Sequence, residues 1–375
     1  MQKIYFDIAA TTPIDPNVVA FMSEIMSSTF GNPSSIHKFG QESHSIIERS
    51  RLQLSNALNC EPSEIIFTGS GSESNNIVLQ GVLSPGDHII TSSYEHPAIL
   101  NVVNTLSSKG IELSLVSPNS DGVINSEIIN SKIKSNTKLI SIMAANNELG
   151  TINPIHQIAL LAKANNILFH SDAVQMFGKL PIDLSDIDVD FLSLSAHKLY
   201  GPKGVGALYI KGGNKLSAIM QGGGQESDLR PGTENIAGIA GFGLAAELAN
   251  QNISKNINHI LELEKYFLSE LTNNNIEFIR HGKSHIPGLM NISFRQVESN
   301  SLLMNLDMEG IAISAGSACS SGTPKPSEVL LNMGIPEQCA SESVRISIGK
   351  IHKKNDVVYS IKKIIKIISR LKNKT

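Results

Sequence analysis

The feature that most constrains the fold is a regular alternation of short apolar segments with helix-forming segments between residues 46 and 210. Strands that alternate with helices build mostly parallel sheets covered by helices. The predicted strands are 65–68, 88–92, 111–116, 138–144, 167–171, 189–194 and 205–210, and the predicted helices are 46–58, 96–108, 126–133 and 155–164. The sequence therefore predicts an α/β fold with a doubly wound, mostly parallel sheet.

Beyond residue 235 the order of the elements changes. Two predicted helices are followed by strands that surround a further helix, which indicates a smaller α+β domain. The helices are 235–249, 256–272 and 299–308, and the strands are 277–280, 290–294 and 311–314. A chain of 375 residues is long enough for two domains of about 100–200 residues each. We expect a large domain at 15–250 and a small domain made of 1–14 and 251–375.

The composition limits the partners. A net charge of −3, with 17% charged residues, gives no global field that would attract nucleic acid. No apolar run approaches the roughly 18 residues of a membrane span, and residues 1–12 resemble neither a signal peptide nor a transit peptide. The three cysteines, Cys60, Cys319 and Cys339, form no CxxC pair, which is typical of a reducing compartment. We expect a cytoplasmic protein without nucleic-acid or membrane partners.

A lysine stands at the end of a predicted buried strand, in Ser195-Ala196-His197-Lys198. Lysine is seldom buried without a partner, and burial favours its neutral amine. A neutral amine is the form that attacks the carbonyl of a cofactor. The alternative is an ordinary surface lysine at a strand end.

Two other strand ends carry polar residues. Asp172 follows the apolar strand 167–171, and at the carboxyl end of a parallel strand a carboxylate faces the ligand crevice; a helix-capping role is the alternative. The turn 69–76 leads from a strand into a helix, where free backbone N–H groups favour a phosphate. It is not a dinucleotide fingerprint, because Ser74 stands where the third glycine belongs.

Several motifs, spread from Tyr5 to about Leu371, resemble those of cysteine desulfurases of the NifS/IscS type, which are class-V, fold-type-I enzymes that use pyridoxal 5′-phosphate (PLP). The matching segments are GNPSSIH at 31–37, YEHPA at 94–98, NNELG at 146–150, SAHKLYGPKGVG at 195–206, RPGTEN at 230–235 and SAGSACSSG at 314–322. The resemblance implies an α/β fold-type-I PLP-dependent transferase and a homodimer with a shared active site.

The resemblance assigns the cofactor contacts residue by residue. Lys198 would hold PLP covalently, and Asp172 would keep the ring nitrogen protonated, which makes PLP an electron sink. The remaining cofactor contacts would be Gly71, Ser72, Ser195 and His197 at the phosphate, Thr233 at the phosphate of the neighbouring subunit, and His96, Asn147 and Gln175 around the ring. Thr233 is also a candidate N-cap of the helix that follows it.

The same resemblance implies the chemistry. L-cysteine would become L-alanine, and Cys319, in a loop of Gly, Ser and Pro, would accept the sulfur as a persulfide. Arg345 would hold the substrate carboxylate through its planar guanidinium. Asn147 and Asn32 would lie on the substrate side, and His96 would shuttle protons in the later steps. Cys60 and Cys339 have no predicted role.

The partners implied are L-cysteine and a sulfur acceptor, such as an iron–sulfur scaffold or a carrier for tRNA thiolation or another thio-cofactor. No intrinsic metal is expected, and Cys319 would ligate a cluster only together with a partner. Alternatives are a selenocysteine lyase, another class-V PLP enzyme, or a non-catalytic binding protein of the same fold; the last would be expected to lack Lys198 or Asp172.

Two features depart from the pattern or lie outside it. Ile8 stands where the family usually has Asn, so no polar role is expected there. Residues 350–375 carry nine Lys and Arg and one acid, with Val358, Ile361, Ile365 and Ile368 on one helical face. We interpret this segment as an amphipathic helix with a solvated basic face; a docking face for the acceptor is the alternative.

Overall fold

The computed structural model describes residues 2–316 and 326–372. The strands of this part are β1 (Ile4–Tyr5), β2 (Ile65–Thr68), β3 (His88–Ser92), β4 (Glu112–Val116), β5 (Thr137–Ser141), β6 (Leu168–Asp172), β7 (Phe191–Ser195), β8 (Gly206–Ile210), β9 (Phe278–Arg280), β10 (Leu289–Phe294), β11 (Ile311–Ala312) and β12 (Ser343–Ser347). The helices are α1 (Pro16–Ser28), α2 (Lys38–Leu58), α3 (Gly71–Val82), α4 (Pro97–Ser107), α5 (Ser126–Asn130), α6 (Ile155–Ala164), α7 (Ile236–Gln251), α8 (Ile253–Asn273), α9 (Ser299–Met308), α10 (Glu328–Asn332), α11 (Glu337–Ser341) and α12 (Lys354–Lys372).

Seven strands form the central sheet in the order β2-β8-β7-β6-β5-β3-β4. The five strands β4, β3, β5, β6 and β7 run parallel to one another, whereas β8 pairs antiparallel with both β7 and β2. The prediction of a mostly parallel sheet is therefore confirmed. Asp172 of β6 lies opposite Ser193 of the parallel strand β7, so the carboxyl ends of both strands lie at the same edge of the sheet.

Helices cover both faces of this sheet, which explains why its strands read as continuous apolar runs. One hydrophobic cluster includes Leu54, Phe169 and Phe242, and a second includes Val103 and Phe191. All five residues of β7 are buried. The strand that leads to Lys198 is thus enclosed on both sides.

The remaining strands belong to a smaller unit. β10 pairs antiparallel with β9 and β12, and β1 pairs parallel with β11, with Ile4 opposite Ile311. This unit has its own core, which includes Phe6, Phe267 and Phe294. The first residues of the chain therefore pack with residues near its end, while the predicted domain boundaries stay a prediction.

Some elements differ from the sequence predictions. Helix α1 was not predicted, because only Val18 and Ile25 of its apolar residues are buried; Asp15 caps it and Pro16 begins it. Helix α2 begins at Lys38 rather than at 46, since His37 provides the cap. The short helices α10 and α11 were also missed.

The carboxyl-terminal helix α12 is amphipathic as predicted, and Ile361 and Ile368 of its predicted apolar face are buried, but the buried face is centred to one side of the predicted one. The buried residues include Val357 and Ile364, while Val358 and Ile365 are only half-buried. The side of α12 that carries Val357 and Ile364 faces the core of the small unit, which a count of residues per helical turn does not reveal. Within the described residues, no helix combines the length and apolarity that crossing a membrane requires.

Candidate active site

The carboxyl ends of β6 and β7 open into a cavity of about 490 Å³. The amino ends of α3 and α4 contribute to its walls, and Arg345 of β12 reaches it from the small unit. Ten of the residues predicted for the site line this cavity: Gly71, Ser72, His96, Asn147, Asp172, Gln175, Ser195, His197, Lys198 and Arg345.

Three predicted site residues are not among those that line it. Asn32 is exposed, and its Oδ1 accepts a hydrogen bond from the backbone N–H of Ser34 (3.0 Å). Thr233 is exposed too, and the helix that follows is capped by Asn235, so the N-cap alternative for Thr233 is wrong. Cys319 lies outside the described residues, and its role stays a prediction.

Lys198 reaches the cavity because β7 ends in a single 3-10 turn, Ala196–Lys198. Its Nζ donates to the carbonyl oxygens of Ala9 (2.6 Å) and Ala10 (2.8 Å). The segment that carries these carbonyls is tied down where Thr12 donates its N–H to the carbonyl of His197 (2.9 Å). Lys198 is thus a half-buried lysine of the cavity wall, which contradicts the surface alternative.

Asp172 is the last residue of β6 and is 8% exposed. Its Oδ2 accepts from Nδ2 of Asn75 (2.8 Å), and its Oδ1 accepts from the backbone N–H of Val174 (3.0 Å). No α-helix follows β6 directly, so the helix-capping alternative is wrong. Asn75 holds the carboxylate in place across the cavity floor.

His96 is the N-cap of α4, and its Nδ1 accepts from the backbone N–H of Ala98 (3.1 Å). Burial lowers the pKa of this imidazole; the charge of Lys198 adds to the effect, and that of Asp172 opposes it. A neutral ring whose Nδ1 accepts a hydrogen bond carries its proton on Nε2. His96 therefore presents an Nε2–H donor, and it can give up that proton only from the imidazolium form.

Glu95 lies beside His96 in the cavity wall and is 3% exposed. Its Oε1 accepts from the hydroxyl of Ser92 (2.6 Å) and the backbone N–H of Met143 (2.9 Å), while Oε2 has no partner among the described residues. Burial raises the pKa of Glu95 to about 8. The structure thus places a neutral carboxylic acid in the wall at pH 7.

The amino end of α3 forms a cradle for an anion. Ser70 caps this helix by accepting from the N–H of Glu73 (3.1 Å). A Cβ on Gly71 would lie 2.6 Å from Cγ2 of Val174, so only glycine lets the helix approach the end of β6 this closely. His197 lines the same cavity, and burial, together with the neighbouring lysines, lowers its pKa to about 4. The ring is a neutral hydrogen-bonding group.

Arg345 is 3% exposed and has two of its donor groups engaged. Its Nη2 pairs with Oδ1 of Asp7 (2.8 Å), and its Nη1 donates to the carbonyl of Asn147 (2.9 Å). The buried Nε has no partner in the part of the chain that is described. An oriented guanidinium with an unpaired N–H is a site for a carboxylate.

Two further segments are not among those that line this cavity. Ile8 is buried elsewhere, within 3.1 Å of the position that a Cβ on Gly349 would occupy, in line with the expectation of no polar role. The Gly-rich loop 221–235 is anchored by Glu226. The carboxylate of Glu226 makes two bonds to Arg51 (2.8 and 2.9 Å) and accepts from the N–H of Phe67 (2.7 Å).

Sequence reasoning missed Asp7, Ser70, Asn75 and Glu95. Ser70 had a signal, because Ser-x-x-Glu before an apolar run marks a helix start. Asp7 had none, because it and Arg345 are 338 residues apart. Asn75 and Glu95 become relevant only once the ends of the strands are placed side by side.

This site matches a known group of enzymes. Residues 4–359 match the family described as "Aminotransferase class-V", whose members use PLP, and the chain belongs to that family. Within it, the chain belongs with the cysteine desulfurases of the IscS/NifS type.

The similarity to cysteine desulfurases extends over nearly the full length of the chain. The chain is 42% identical to the cysteine desulfurase IscS of Dictyoglomus turgidum, over 99% of this chain and 96% of the relative. A solved structure titled "NIFS-LIKE PROTEIN" shares a TM-score of 0.92 at 36% identity, over 98% of this chain and 100% of that one. The structure "SspA in complex with cysteine" shares a TM-score of 0.82 at 36% identity, over 92% and 99% of the two chains.

Proposed function

We propose that this cysteine desulfurase uses PLP to convert L-cysteine to L-alanine and passes the sulfur, as a persulfide on Cys319, to an acceptor protein. The observation that carries the proposal is the placement of Lys198 and Asp172. They stand at the ends of two adjacent strands and line one cavity. An amine and a buried carboxylate that line one cavity are the groups that the aldehyde and the ring nitrogen of a pyridine aldehyde require.

The residues of the cavity fit PLP. The cradle at Ser70, Gly71 and Ser72 offers backbone N–H groups at a helix amino end to the phosphate. Ser195 and His197 would complete the phosphate site, and Asp172 would hold the ring nitrogen in its protonated form. When bound, PLP supplies a sink for the electrons released at the substrate Cα.

Arg345 binds the α-carboxylate of L-cysteine in this proposal. Its unpaired Nε is buried and requires an acceptor, since an unsatisfied buried donor costs about 1–3 kcal/mol. Asp7 and the carbonyl of Asn147 fix the guanidinium plane. The substrate is thus oriented by a group that is already in position before it binds.

Lys198 then removes the proton from the substrate Cα, and His96, as its imidazolium form, returns a proton through Nε2 when alanine forms. The carbonyls of Ala9 and Ala10 hold the Lys198 amine at the edge of the cavity. Burial lowers the pKa of the His96 imidazole, which makes its imidazolium form a stronger acid and so a better proton donor.

Cys319 receives the sulfur in a balanced exchange. Its thiolate attacks the substrate sulfur, the C–S bond of the substrate breaks as an S–S bond forms, and the electron pair left on Cβ takes up a proton. Cysteine is thereby reduced to alanine, and the two sulfur atoms form the persulfide. No further oxidant or reductant is needed.

The functional unit is a homodimer with a shared site in this proposal. Phe30, Ile36 and Phe39 are 78%, 92% and 54% exposed, and the rings of Phe30 and Phe39 lie 5.2 Å apart. An exposed apolar patch of this kind marks an interaction surface, and we assign it to a second copy of the chain. The exposed Thr233 would reach the phosphate of that copy. A cytoplasmic location stays a prediction.

Mass spectrometry tests the function directly. Brief exposure of the PLP-loaded protein to L-cysteine should place one extra sulfur on the peptide of Cys319 and none on those of Cys60 and Cys339, with L-alanine formed. Cys319→Ser should bind PLP and form almost no alanine, with Cys60→Ser as the matched control. Wild-type turnover in Cys319→Ser, or a wild-type protein that binds no PLP, would overturn the proposal.

A further inference from the structure

Lys179 is an amine close to the active site that the proposed reaction does not use. It lies after the turn that follows β6 and lines a second, small cavity of about 40 Å³ together with Ile8 and Tyr200. Burial, with the positive charges of Lys198 and Arg345, lowers the pKa of Lys179 to about 7. Lysine side chains in such surroundings need a specific acceptor.

The acceptor of Lys179 is Gln175. Its Nζ donates to Oε1 of Gln175 (2.8 Å), and Nε2 of Gln175 donates to the carbonyl of Ala9 (2.8 Å). The same carbonyl of Ala9 accepts from Nζ of Lys198 (2.6 Å). Lys179 is thus joined to Lys198 through one side-chain amide and one backbone carbonyl.

These partners fix which way the Gln175 carboxamide points. A charged amine next to it is satisfied only by the oxygen, because an ammonium group accepts no hydrogen bond, and a backbone carbonyl is satisfied only by the nitrogen. If Lys179 were lost, the oxygen would have no donor on that side. The amine of Lys198, which donates to the same Ala9 carbonyl as Gln175, would then be a donor available to that oxygen.

We propose that Lys179 is a positioning residue that sets the orientation of the Gln175 amide. The second N–H of the amide is then available to the oxygen on the ring of PLP. The amine of Lys198 does not have to donate to the oxygen of Gln175. This inference rests on the proposed function, and it takes Gln175, which the resemblance places beside the ring of PLP, as the donor to that oxygen.

A double-mutant cycle on PLP affinity tests the inference. Lys179→Met keeps the length of the side chain and removes the donor, and Gln175→Ala removes the amide. Each single change should weaken PLP binding to the stripped protein about tenfold, as expected for the loss of one hydrogen bond worth about 1.4 kcal/mol. The double variant should bind no more weakly than Gln175→Ala alone, because Lys179 acts only through Gln175.

A spectroscopic measurement separates positioning from a structural effect. An N–H donor stabilises negative charge on the ring oxygen, so Lys179→Met should raise the pH midpoint at which the visible absorption of the bound PLP changes. Lys179→Arg keeps a donor and should restore most of the PLP affinity. Lys109→Met, at an exposed position, is the control and should behave like wild type.

The outcomes separate this inference from the proposed function. Wild-type PLP affinity in Lys179→Met, or effects of the two changes that multiply in the double variant, would refute the positioning role. A wild-type protein without PLP binding would instead refute the proposed function. If Lys179→Met does not fold, Lys179→Ala replaces it in the cycle, since it removes the same donor.

Discussion

Asp7 and Arg345, near opposite ends of the chain, form a salt bridge in which Oδ1 of Asp7 lies 2.8 Å from Nη2 of Arg345. The side chains are 15% and 4% exposed, and Ser314 donates to the other carboxylate oxygen of Asp7 (2.9 Å). The bridge therefore holds the guanidinium through Nη2 and leaves its Nε without a partner among the described residues.

Asp7→Ala should weaken L-cysteine binding. Hydrogen bonds to charged groups are worth about 1.5–3 kcal/mol, so KM should rise about 10- to 100-fold, while kcat changes less. Steady-state alanine formation measures both constants, and Asp186→Asn, an exposed carboxylate elsewhere, is the control. An unchanged KM would show that Arg345 needs no help from Asp7.

Lys198→Ala should abolish turnover and the covalent link to PLP. Loss of a general base alone costs about 10²–10⁴-fold in rate, and the covalent attachment is lost in addition. Alanine assays and borohydride trapping followed by peptide mapping give the two readouts. Lys109→Ala should retain both, and label trapped on another lysine would reassign the cofactor lysine.

Asp172→Asn should retain the fold, because the amide can keep the contact to the N–H of Val174. It should lose most of the activity, since a neutral amide does not hold a ring nitrogen protonated. Asn75→Ala should lose less, as it removes only the group that orients Asp172. Near-normal alanine formation by Asp172→Asn would remove this residue from the proposed role.

Glu95→Gln should change how stability depends on pH. The folded-state pKa of about 8 lies above the ordinary value, so the unfolded chain loses its proton first and wild-type stability falls as pH rises through that interval. The slope is at most about 1.4 kcal/mol per pH unit. Melting temperatures should show the variant gaining on wild type between pH 5 and about 8, whereas the exposed Glu24→Gln should give no such trend.

Phe30→Ser combined with Phe39→Ser should weaken self-association, because the exposed apolar patch would no longer be buried against a second copy. Light scattering over a dilution series should show monomer at concentrations where wild type is dimeric. Met304→Ser, at a 70% exposed position of α9, is the control. A wild type that is monomeric and active would contradict the shared site.

The sequence predicts the sheet and the strand-end residues well because both depend on local signals. Alternating segments define β3 to β7, and Lys198 and Asp172 stand directly after apolar runs. Asp7, Asn75 and Lys179 escape such reasoning, since their importance comes from contacts that the fold creates. The predicted apolar face of α12 is only half right, with Ile361 and Ile368 buried but Val358 and Ile365 not, because an ideal helical count does not reveal which side meets the core of the small unit.

The pairing of Ile4 with Ile311 also has a consequence for biosynthesis. The segment that supplies the Ala9 and Ala10 carbonyls leaves the ribosome long before β11, so β1 lacks its partner strand until residue 311 has been made. Contacts so distant in sequence form late and slowly. Completion of the Lys198 environment should therefore follow synthesis of most of the chain, and ribosome-bound chains that end before β11 should expose residues 2–12 to protease.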